Sequence, residues 1–85
     1  MTNTHEAQRD RLLDALRRGP VTTDQAKEAL QIPQPGPRVW ELRHWQGVQI
    51  ATLLAHQEED GRRKRVALYV LMADQPFTRN EVAHA

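Results

Sequence analysis

The chain has no cysteine, which excludes disulfides and thiolate metal sites. Aromatic residues are scarce, with one Phe, one Tyr and two Trp, so a core has to rest on Leu, Val, Ile and Ala. No apolar run approaches the ~18 residues of a membrane span. The polar stretch 1–10 is unlike a secretory signal. Net charge is nearly absent, at +1 with His neutral. The sequence also shows no Gly-rich phosphate loop, no nucleophile motif and no paired carboxylates. His5, His44, His56 and His84 are scattered, without the spacing of a metal site. These absences lead to the expectation of a soluble, cytoplasmic protein that acts by binding rather than catalysis and needs no cofactor. At 85 residues it is one domain with a modest core.

What is present is strongly punctuated. From Glu6 to Arg18, Leu12, Leu13, Ala15 and Leu16 form an apolar stripe with Arg9, Asp10, Asp14, Arg17 and Arg18 opposite, which predicts a helix. Gly19-Pro20 ends it, with Gly in a left-handed cap. After a short extended link at Val21, Thr22 and Gln25 form a capping box for a second helix over 23–30, with Ala26, Ala29 and Leu30 on its inner face. Pro33, Pro35, Gly36 and Pro37 interrupt any continuous helix. A third helix starts near Pro35–Pro37 and runs to Gln46, stopping at Gly47. Val39 and Leu42 face the core, and Trp40, Glu41 and His44 centre the opposite face with Arg38 and Trp45 flanking it.

The period then changes. Residues 48–54 alternate as a strand, 56–63 form a polar hairpin tip around Asp60-Gly61, and 65–71 read as a second strand. A core this small does not hold both Trp40 and Trp45, and at least one is expected to close the gap between the third helix and this hairpin. The predicted class is therefore α+β and mainly α: three helices followed by a β-hairpin, over residues 1–72. Residues 73–85 form a tail in which Thr78 and Glu81 offer a short capped helix.

Three helices and a hairpin make the winged-helix arrangement. The runs Leu-Leu-Asp-Ala-Leu-Arg-Arg-Gly-Pro-Val-Thr-Thr (12–23), Arg-Val-Trp-Glu-Leu-Arg (38–43) and Arg-Val-Ala-Leu-Tyr-Val-Leu (65–71) resemble small winged helix-turn-helix proteins of bacteriophages and mobile elements. The likeness covers roughly residues 8–71. It implies sequence-specific binding of double-stranded DNA by a transcriptional repressor or an excisionase-type accessory factor. It also implies a third helix in the major groove and a basic wing on the flanking backbone or minor groove.

On that reading Gln34 and Arg38 stand near the reading end of the third helix, with Glu41 and His44 further along. Glu41 either orients Arg38, accepts from cytosine, or forms an ordinary surface ion pair. Arg43 reaches a phosphate, or packs its stem and pairs with an acid. Thr22 and Thr23 meet a phosphate at the second helix's start, or serve as capping residues only. Arg62, Arg63, Lys64 and Arg65 follow the acidic Glu58-Glu59-Asp60 and sit at the wing tip, Arg63 and Arg65 on one face and Arg62 and Lys64 on the other. A homodimer, or several copies on adjacent sites, is expected because one small module covers little DNA. The alternative is a winged-helix protein-interaction module that inhibits or recruits a protein partner, supported by the low net charge and the acids at 58–60.

Overall fold

A computed structural model describes residues 3–73. Its elements run α1 (His5–Arg18), β1 (Val21–Thr22), α2 (Thr23–Glu28), α3 (Pro35–Trp45), β2 (Gln49–Glu59) and β3 (Arg62–Ala73). The tail and its Thr78–Glu81 capping box lie outside the described residues. No described helix is long and apolar enough to cross a membrane.

Local chemistry sets the boundaries. Thr4 caps α1 by accepting from the Ala7 N–H. The Thr22–Gln25 box is formed in both directions, at 3.1 Å and 2.9 Å, so two otherwise unpaired amides at the start of α2 are satisfied. α2 ends at Glu28 rather than Leu30. The amides of Ala29 and Leu30 both turn back to the Gln25 carbonyl, and Gln31 takes φ 55° to leave the helix. Ala29 is consequently exposed, not on the inner face. Gly19 is extended, at φ 160° and ψ 175°, instead of left-handed. Gly47 does adopt a left-handed φ of 68°, and the next amide, Val48, closes α3 onto the Leu42 carbonyl.

The sheet is three-stranded and antiparallel, ordered β1-β3-β2. The link expected at Val21 is a strand: Val21 pairs with Tyr69 and Thr22 with Leu68. Two residues after a Pro, the second of them the helix cap itself, are too few to show a strand period, so only β3 reveals β1 as one. The hairpin is also longer than the sequence suggests. Pairing continues without interruption from Ile50↔Leu71 to Glu59↔Arg62, and the tip shrinks to the two-residue turn Asp60-Gly61. Both turn residues have positive φ, 53° and 76°, the conformation whose twist matches a tight hairpin.

The core joins every element. Leu12 and Leu16 of α1 meet Val21, Ala26, Val39, Leu42, Val48, Ile50 and Tyr69. Ile32, within the proline-rich turn, is fully buried and ties that turn down through its amide to the Ala26 carbonyl. Arg11 fastens α1 to the same turn by donating to the Leu30 carbonyl at 2.9 Å, and its guanidinium also reaches Asn3.

Candidate functional site

Two surfaces remain prominent once the core is closed: the outer side of α3 and the distal half of the β2–β3 hairpin.

On α3 the buried residues are Pro35, Arg38, Val39, Glu41 and Leu42. Their spacing sets the inner face, and the exposed residues Gly36, Pro37, Trp40 and His44 form the row opposite. This corrects the expectation for two candidate base readers. Arg38 is only 6% exposed and Glu41 9%. Neither projects outward, because a partner outside the helix holds them in. Glu41 Oε1 accepts from Arg9 Nη1 of α1 at 2.9 Å, and Oε2 accepts from Arg38 Nη2 at 3.0 Å. Arg38 Nε also lies 2.8 Å from Glu41 Oε1, although its N–H points off the line of a hydrogen bond. The triad Arg9–Glu41–Arg38 is thus a buried clamp between α1 and α3. Burial pushes the Glu41 carboxyl up, but the two guanidiniums outweigh it and hold the pKa below its ordinary 4.5.

Arg43 is half-buried along β2 but pairs with no acid among the described residues. It donates from Nε to the Ile50 carbonyl at 2.8 Å and from Nη2 to Thr52 Oγ1 at 2.7 Å, covering part of the β2 edge. Thr22 is occupied by the capping box on both its hydroxyl and its amide. Thr23 Oγ1 faces the Ala67 carbonyl at 3.4 Å. The start of α2 is therefore built into the fold. Gln34 is exposed at the head of α3 and makes no capping hydrogen bond.

Both tryptophans are exposed, Trp40 by 51% and Trp45 by 63%, so neither fills the gap beside the hairpin. Tyr69, Ile50 and Val48 fill it instead. The rings form a ledge: Trp40 lies over His44 with centroids 4.3 Å apart and planes tilted by 30°, and Trp45 meets Trp40 edge-on at 6.1 Å. The Arg9 guanidinium sits 5.3 Å from the Trp45 ring centre.

In the hairpin every residue from His56 to Arg65 is exposed. Four paired residues per strand beyond the body make an arm of about 13 Å. Register sets Glu59 against Arg62, Glu58 against Arg63, Gln57 against Lys64 and His56 against Arg65. Lys64 is drawn toward α2 by Asp24 at 3.1 Å, with Glu59 at 3.7 Å. The hydrogen bond to Asp24 is the largest influence raising its pKa above the ordinary 10.5. Arg62, Arg63 and Arg65 form no ion pair with another described residue and extend into solvent.

The clamp is not legible in the sequence for one reason. Arg9 and Glu41 are 32 residues apart, and no local period announces that a carboxylate on one helix is matched by a guanidinium on another. Comparison with known proteins agrees with the architecture. Residues 7–74 match the family model described as a winged helix-turn-helix domain. No curated protein and no solved structure matches the chain.

Proposed function

The chain belongs to the winged helix-turn-helix domain family, and from that premise we propose that it binds double-stranded DNA as a small regulator, without catalysing a reaction. The observation that carries this reading is the solvated arm 56–65, on which Arg62, Arg63 and Arg65 form no ion pair with another described residue. Guanidiniums on a paired two-stranded arm suit phosphates or a narrow minor groove, and α3 lies in the adjacent major groove. In this reading the wing supplies most of the affinity. The start of α2, whose hydroxyls and cap amide are engaged internally, contributes little.

The regulator class follows the sequence resemblance: a phage-like or mobile-element repressor or excisionase-type factor, working in the cytoplasm. One copy offers a narrow contact surface, so a dimer or several copies on neighbouring sites would complete a specific complex. The test is a mobility shift with the full chain on duplexes selected from a randomised library and on DNA from its own gene neighbourhood. Retarded bands that resist random competitor support the proposal. Absence of any shift at low salt rejects it. Binding at a promoter marks a repressor, and binding at an attachment site marks an accessory factor.

A second reading, a protein-interaction module, draws on the exposed Trp40 and Trp45 and on Glu58, Glu59 and Asp60 beside the wing. A stoichiometric protein complex that survives replacement of Arg62, Arg63 and Arg65 by Ala would favour it.

A further inference from the structure

The outward row of α3 is chemically unusual for a helix that meets DNA. Gly36, Pro37, Trp40 and His44 include no guanidinium, amide or carboxylate. Of the residues there able to form paired hydrogen bonds with a base, Arg38 is buried against Glu41 and Arg43 is engaged on the β2 edge, which leaves Gln34 at the head of the helix. An apolar or aromatic group in the major groove does have one sequence-specific target, the 5-methyl group of thymine.

We infer that Trp40, with His44 beside it, is a base-reading residue of this chain, and that it reads thymine methyl groups in the major groove of duplex DNA. The inference rests on the DNA-binding reading above and adds to it a specificity residue and its target. Three observations favour it. First, the ledge is already assembled: His44 lies over Trp40 and the Trp45 ring abuts it edge-on, so little ordering remains when it meets DNA. The indole N–H groups and the His44 imidazole make no hydrogen bond to any other described residue, which leaves them for base edges or phosphates. Second, the charge beneath the ledge suits a polyanion. Two guanidiniums, of Arg9 and Arg38, share the single carboxylate of Glu41, and Arg9 reaches the Trp45 ring. Glu41, the only acid of α3, is turned inward and neutralised, so the row offers nothing that repels phosphate. Third, the area argues against a second copy. A stable protein interface needs about 800 Å² per partner. Two half-exposed indoles supply only about 300 Å².

The experiment uses the full chain, a duplex selected from a randomised library, and the same duplex with every thymine replaced by deoxyuridine, which removes only the methyl groups. Fluorescence anisotropy gives the affinities. The wild type should lose about fourfold for each contacted methyl. Trp40→Ala should bind the thymine duplex about tenfold more weakly and no longer distinguish the two. Trp40→Phe should keep part of the discrimination. Circular dichroism confirms that the variants stay folded, and the wild-type comparison stands even without them. Equal affinity of the wild type for both duplexes, or a selected site without thymine, overturns the inference and leaves DNA binding intact. No duplex binding by the wild type overturns the underlying reading as well. A wild-type dimer in sedimentation that Trp40→Ala dissociates would give the ledge to a second copy and also overturn it.

Discussion

Replacing Glu41 by Gln would leave the guanidiniums of Arg9 and Arg38 buried without a counter-charge. The change should lower Tm, and Arg38→Ala should do the same, both measured by thermal circular dichroism near neutral pH. The pH dependence has a definite sign. The folded pKa of Glu41 is depressed, so its stabilisation is complete above the ordinary 4.5 and is lost as pH falls through the lower folded value. Tm should therefore drop on acidification below about 4.5 in the wild type, and drop less steeply in Glu41→Gln. An acid limb identical in the two proteins would remove the clamp from the account. Leu42, fully buried against α1 and the sheet, sets the scale of an apolar loss: Leu42→Ala should cost about 2–5 kcal/mol in denaturant unfolding. Residues of this second kind are legible in the sequence, because Leu12, Leu16, Val39 and Leu42 announce themselves by helical spacing. Arg38 and Glu41 are not. Their spacing of three reads as a surface pair, and only Arg9, from another helix, makes the buried position tolerable.

Among the elements, those governed by short-range chemistry are legible and those governed by pairing are less so. The capping box at Thr22, the restart at Pro35 and the stop at Gly47 each arise from groups within a few residues. Thr22→Ala should cost about 1 kcal/mol of stability, because it removes the acceptor for the Gln25 amide. β1 and the full hairpin depend on β3, and a polar stretch such as 56–65 carries no burial period because both its faces are in water. The positive φ of Gly61 is what keeps the turn to two residues. Gly61→Val should weaken the distal hairpin by about 1 kcal/mol, seen as faster amide hydrogen exchange over 56–65 while the core amides keep their protection. The arm also carries its own brake: Glu58 and Glu59 stand opposite Arg63 and Arg62. Replacing both acids by Gln should tighten binding to any duplex, most visibly at low salt. Equal affinity would mean that the arm does not approach phosphate.

At the scale of the whole molecule, +1 is a small charge for a protein that meets DNA, and the structure concentrates the useful part of it. Lys64 is drawn to Asp24, Arg38 and Arg9 are locked on Glu41, and Arg43 is spent on the β2 edge. On the wing, Arg62, Arg63 and Arg65 form no ion pair with another described residue, and the aromatic ledge of α3 is the second surface proposed to face DNA. Binding should therefore be modest, strongly salt-dependent, and dominated by those three side chains. The most direct measurement is the duplex affinity of the full chain across a salt series, compared with the variant in which Arg62, Arg63 and Arg65 are all Ala. The account predicts weaker binding to every sequence and a log–log salt slope shallower by about 0.9 for each phosphate that the variant no longer neutralises. An unchanged affinity and slope in the variant, or no duplex binding by the wild type at low salt, would contradict it.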